Sequence, residues 1–198
     1  MVFNSMSSKF FYALFVGISL SACTSVPLAS IPKLARLDFM TTDLSRLRVA
    51  IALPDALSPK PQGVVMEMKT KIGDEPEQAE SLHLVESKLA QDQQGLPTDQ
   101  PKNQTLHVFK LSAADVQHLN ALRQRVADAK KQHQKGSLSL GIAAKEFCKL
   151  SDLPPGPALT TTYVLTSETE SYVTMVQDFN LRSDAKTAEG LDKLETCR

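Results

Sequence analysis

Between Leu47 and Leu53 apolar side chains recur at every second residue. Leu47, Val49, Ile51 and Leu53 fall on one side of an extended chain, with Arg48, Ala50 and Ala52 on the other. A period of two belongs to a strand with one covered face, and a helix cannot gather that set on one side. The segment reads as a half-buried strand, stopped by Pro54. The pattern then returns along the chain. Val64, Met66, Met68 and Ile72 oppose Glu67, Lys69 and Lys71, and Gly73-Asp74 closes this second strand. A third is expected near Leu82, Leu84 and Val85, and a fourth opens with Leu106, Val108 and Lys110. Leu138, Leu140 and Ile142 alternate with Ser137, Ser139 and Gly141 as a fifth. Thr161, Tyr163 and Leu165 give a sixth, and Tyr172, Thr174 and Val176 a seventh. The short connection from Ser167 to Ser171 makes the last two a hairpin.

One helix interrupts the strands. Ser112 stands as N-cap with Asp115 three residues on, and Val116, Leu119, Leu122, Val126 and Ala129 form one apolar stripe. Lys130, Lys131 and Lys135 suit the negative end of the helix dipole, and Gly136 is expected to stop the helix. The fold class is therefore mainly β, with α+β also compatible: an antiparallel β-sandwich of about seven strands, crossed by one amphipathic helix that covers an open end or edge. Two stretches read as loops, Pro54 to Gly63 and the turn Leu153-Pro154-Pro155-Gly156-Pro157. The polar segment Gln91 to Asn103, with Gly95, Pro97 and Pro101, reads as a mobile loop or a short disordered insert. The tail from Ser183 is polar, with Leu191 and Leu194 as weak apolar anchors, and is compatible with a short helix.

Composition narrows the partners. The formal net charge is zero, which argues against a basic nucleic-acid binder or a polybasic membrane-surface protein. Trp is absent and 6% of residues are aromatic, too few for the stacking platforms that hold bases or sugars. With 198 residues the chain suits one ordinary domain and a short leader.

The leader is the most specific signal. Lys9 precedes the apolar run Phe10-Phe11-Tyr12-Ala13-Leu14-Phe15-Val16-Gly17-Ile18-Ser19-Leu20, about half the length a spanning helix needs. The run ends in Leu20-Ser21-Ala22-Cys23: an aliphatic residue, two small residues, then cysteine. This resembles the lipobox of bacterial lipoproteins. The resemblance covers the leader only; beyond it the chain is similar to small Gram-negative envelope lipoproteins in layout alone. It implies diacylglycerol on the Cys23 sulfur, cleavage between Ala22 and Cys23, and acylation of the new amine, with palmitate as the expected chain. Residues 1–22 would be a signal peptide, 23–33 a lipidated tether, and 34–198 a single sandwich-like domain. Thr24, where an Asp commonly marks retention in the inner membrane, implies by the same resemblance the periplasmic face of the outer membrane.

With Cys23 lipidated, Cys148 and Cys197 remain. An even pair in an oxidising compartment reads as a disulfide. It would tie the tail to the segment after the fifth strand.

No motif points to catalysis. His83, His107, His118 and His133 lack the spacing of a zinc protease helix, with the last two placed on the helix, and no cofactor or metal is expected. No nucleophile-elbow, P-loop or dinucleotide fingerprint is present. The acidic run Asp74-Glu75-Pro76-Glu77 reads as a solvated loop, and Met66 and Met68 as core filling rather than an adaptable pocket. The expectation is a non-catalytic binding or assembly module facing an envelope protein partner. A carrier of a small apolar ligand such as a lipid, needing a large cavity, and a periplasmic hydrolase, needing a nucleophile beside a base in a cleft, are the alternatives.

Overall fold

The computed structural model describes residues 27, 30, 38–99, 102–183 and 185–197, without the side chain at 186. The proposed cleavage site and lipidation position, Ala22 and Cys23, lie outside the described residues, as does nearly all of the proposed tether.

The alternating segment 47–53 forms β1 (Arg48–Pro54). It is the middle strand of a five-stranded sheet. On one side it pairs with β6 (Gln104–Lys110), whose outer neighbour is β5 (Val85–Glu86). On the other it pairs with β9 (Leu159–Leu165), which in turn pairs with β10 (Val173–Asn180). The last two form the expected hairpin. A three-stranded sheet centres on β3 (Val64–Ile72), flanked by β4 (Gln78–His83) and β7 (Gly136–Ala144). All these pairings are antiparallel. The fold is mainly β, a sandwich with one main helix, as the alternation predicts.

The two sheets share one interior. Val49, Ile51 and Leu53 from β1 and Phe109 from β6 meet Val64, Met66 and Met68 from β3, each 3% exposed or less. The two methionines are core residues. Helix α1 (Ala113–Lys131) joins β6 to β7, packs on β7 and β3, and adds Leu119 and Leu122 to the same cluster. The Ser112 hydroxyl accepts from the Asp115 amide at 3.1 Å, the expected cap. Apolar side chains of both sheets and the helix meet in this interior.

Three expectations are corrected. First, β1 is not half-buried: Ala50 and Ala52, opposite the main core, are at most 1% exposed. They lie under Tyr163, Tyr172 and Leu96 in a second cluster. Their small side chains let aromatic rings and a loop settle onto the sheet's far face. Second, Gly136 does not stop α1. The helix ends at Lys131, and His133, two residues beyond it rather than on it, takes the left-handed conformation at φ 60°. The Gln134 amide donates to Ala129 O at 2.9 Å and the His133 amide to Lys130 O at 3.0 Å, a Schellman arrangement. Gly136 instead opens β7 where it passes close to the helix. A Cβ there would sit 3.1 Å from Val126 O. Third, the strand expected near Leu82 to Val85 is two strands. The Leu84 amide bonds to Val64 O, and the chain turns from the three-stranded sheet into the five-stranded one.

A small two-stranded sheet pairs β2 (Leu57–Pro59) with β8 (Phe147–Lys149). The tail carries α2 (Ala185–Asp192), and Leu191 packs with Leu57, Ala158 and Leu181. The sulfurs of Cys148 and Cys197 stand 2.07 Å apart with Cα atoms at 5.0 Å, which is disulfide distance. Among the described residues no helix is long and apolar enough to cross a membrane.

Candidate functional site

The sequence reads Gln91 to Asn103 as a mobile loop or a short disordered insert; where that segment begins, the structure forms a turn that holds a buried acid. Residues Ala90–Gln93 form a 3-10 turn, and Asp92 within it is 3% exposed. Arg48 Nε donates to Asp92 Oδ1 at 2.7 Å, and Lys110 Nζ to Oδ2 at 3.2 Å. The Ser87 hydroxyl also donates to Oδ2. Burial pushes the Asp92 carboxyl up, but the hydrogen bonds from Ser87, Arg48 and Lys110 outweigh it and hold the pKa at about 2. Arg48 is oriented in turn by its bonds to Ser45 O and Leu47 O.

The rest of the loop is tied from above. The Tyr172 hydroxyl donates to Asp92 O, and the Tyr172 amide donates to Gly95 O at 3.2 Å. Gly95 has φ +78°, and a Cβ there would come within 3.3 Å of Ser171 Cα. Only glycine meets both demands without strain.

Beside this loop lies an open cleft of ≈ 440 Å³. One wall is Arg46, at the end of the 3-10 turn Leu44–Arg46, with Arg48 at the start of β1; the second is the loop from Gln91 to Gly95, and the third is the turn from Leu165 to Glu170. That turn is also held. The Thr166 amide bonds to Thr169 Oγ1, the Asp43 amide to Ser167 Oγ, and Thr42 Oγ1 donates to Glu168 Oε2 at 3.0 Å. Burial acts upward on the Glu168 carboxyl, but bonds to Ser167, Thr166 and Thr42 bring it below the usual carboxylate range. Thr42 is fixed from beneath by Arg123 on α1, whose Nη1 donates to Thr42 O at 2.7 Å. Burial lowers the pKa of that guanidinium, with Asp38, Glu168 and Asp43 acting the other way. Among the described residues its Nε and Nη2 are buried without a hydrogen-bond partner.

The expected residues lie elsewhere. Cys148 on β8 and Cys197 at the tail sit by the two-stranded sheet, away from the cleft lining. His83 Nδ1 donates to Gln62 O, and His107 and His118 reach Glu86 and Glu80 at 2.9 and 3.0 Å. These bonds place the three rings beside a carbonyl or a carboxylate. Among the described residues no group of three or more His, Cys, Asp or Glu could hold a metal ion. The acidic run Asp74-Glu75-Pro76-Glu77 is exposed, with Glu77 3.6 Å from Lys69. A second, more apolar groove of ≈ 370 Å³ runs past Pro59, Pro61, Leu84, Val85 and Phe109.

Sequence reasoning missed Asp92, Arg46, Arg48 and Tyr172. The available signal was Leu96, a lone apolar residue in a polar stretch, which packs into the cluster beneath Tyr172. Comparisons with protein-family models, with curated proteins and with solved structures find no match for this chain.

Proposed function

We propose that this chain is a lipid-anchored protein of the bacterial cell envelope whose β-sandwich serves as a non-catalytic binding or assembly module. The carrying observation is Leu20-Ser21-Ala22-Cys23 directly behind an apolar run of signal-peptide length. In this reading Cys23 becomes the first residue of the mature chain and carries the lipid. One acyl chain anchors marginally, whereas two or three, each buried methylene contributing about 0.8 kcal/mol, make attachment effectively permanent. The domain then works on the periplasmic side, at the outer membrane. Two features support the reading. Cys148 and Cys197 lie at disulfide distance, which suits an oxidising compartment. The cleft beside Asp92 has walls held by side-chain bonds, as a recognition surface requires.

Mass spectrometry of the amino-terminal peptide from membranes tests the anchor. It should begin at Cys23 and carry the mass of diacylglycerol and a fatty acyl group, and Cys23→Ser should leave the protein in the aqueous phase of a detergent separation. A retained leader in the natively expressed protein would refute it. Cross-linking in intact cells should recover a specific envelope partner, and repeated failure would count against the module role.

A further inference from the structure

The cleft beside Asp92 combines fixed walls with free charges at its mouth. Three of the charged groups lining the cleft already have partners. Arg48 and Asp92 neutralise each other, and Glu168 is held by Thr42 and Ser167. Arg46 and Glu170 are different. Both are exposed and line the cleft from separate walls. Among the described residues neither side chain is engaged in a hydrogen bond or salt bridge, and Arg46 has the charge of Asp43 nearby. The amides of Gln91 and Gln94 lie on the wall formed by the held loop.

This mixture disfavours ligands of one sign. An anion approaching Arg46 meets Glu168 and Glu170 on another wall, and a cation approaching Glu170 meets Arg46. A molecule with a carboxylate at one end and an ammonium at the other is attracted at both. The volume of ≈ 440 Å³ lies in the range of small-molecule sites.

We propose that this cleft binds a small zwitterion, such as a short peptide with free termini, its carboxylate on Arg46 and its ammonium on Glu170. Gln91 and Gln94 offer donors and acceptors to the peptide group between them. The tied loop and turn fix the backbone that carries Gln91, Gln94 and Glu170 before the ligand arrives, so that the ordering on binding is confined to side chains. The inference rests on the binding-module reading and gives it a ligand class.

The test uses the full-length protein in detergent micelles and the dipeptide alanyl-alanine, followed by saturation-transfer NMR and calorimetry. The free dipeptide should bind, and N-acetylation or C-amidation should each weaken it about tenfold by removing one charge-assisted contact. Arg46→Ala should weaken the free dipeptide and leave the C-amide unchanged. Glu170→Gln should weaken the free dipeptide and leave the N-acetyl form unchanged. No binding at about 10 mM, well above millimolar dissociation constants, overturns the proposal, as does binding indifferent to both caps. Because the protein tested still carries its native amino terminus, failure here refutes the ligand and leaves the anchor to its own mass measurement.

Discussion

The hydroxyl of Tyr172 lies 2.6 Å from the main-chain oxygen of Asp92, eighty residues away, and donates to it. The bond is buried. Burial pushes the phenol pKa up to about 12, with Asp92 adding to the rise and Arg48 opposing it. The tyrosine therefore stays protonated, and able to donate, far above neutral pH. Tyr172→Phe removes that donor and leaves a buried carbonyl without it, at a cost of about 1 to 2 kcal/mol. Chemical denaturation should read that loss. Hydrogen exchange should show faster opening at residues 90–95 than in the sheet.

Asp92 makes the domain acid-sensitive in a defined window. Its folded pKa of about 2 lies below the ordinary aspartate value of 3.8, so the folded state favours the ionised carboxylate. That stabilisation is present above the unfolded pKa and is lost as pH falls from about 4 towards 2. Asp92→Asn should flatten this part of the stability–pH curve. At neutral pH the same variant leaves Arg48 without its carboxylate partner, a loss of about 3 kcal/mol on breaking a buried pair. A variant with unchanged acid dependence would show that other carboxylates govern this range.

How much of this was readable depends on the range of the interactions. Strand β1 and helix α1 carry their own period in seven and nineteen neighbouring residues, so alternation at Val49, Ile51 and Leu53 and the stripe through Leu119, Leu122 and Val126 revealed them. The pairing of Cys148 with Cys197 followed from number and compartment. The three-residue strands β2 and β8 carry too little pattern to see, and β2 ends in Pro59. The buried turn at Asp92 is specified by Arg48, Lys110 and Tyr172, between 18 and 80 residues away. A polar stretch with glycine and prolines carries no local trace of such partners. Ala50 and Ala52 misled for a related reason, since small residues on the same face as Arg48 look like a solvent face until the tyrosines that cover them are placed.

The tail depends on its sulfur link. Cys148 and Cys197 close a loop of 49 residues, and chain entropy puts the stabilisation at up to about 4 kcal/mol. The Lys149 amide also donates to Glu195 O, and the Cys197 amide to Lys149 O, so some order at the tail outlasts the covalent bond. Cys197→Ser should therefore lower the melting temperature and raise exchange in α2 first, while the five-stranded sheet keeps its protection. Equal loss of protection across the whole domain would contradict this separation.

Two glycines of β7 should answer the same substitution differently. At Gly136 an added Cβ would meet Val126 O at 3.1 Å and Val126 Cγ1 at 3.2 Å. The oxygen belongs to the backbone of α1 and cannot turn aside, so strand and helix must separate by a few tenths of an ångström. Gly136→Ala should cost about 1 to 2 kcal/mol, the usual scale for overpacking. At Gly141, five residues along the same strand, nothing lies within 4 Å of the new Cβ and the backbone is ordinary. Alanine there restricts the unfolded chain without straining the folded one, so Gly141→Ala should be neutral or stabilise by about 0.5 kcal/mol. Denaturation midpoints of the two variants, measured side by side, check the claim. If both fall equally, the close approach of β7 to the carboxyl end of α1 is not what requires glycine at 136.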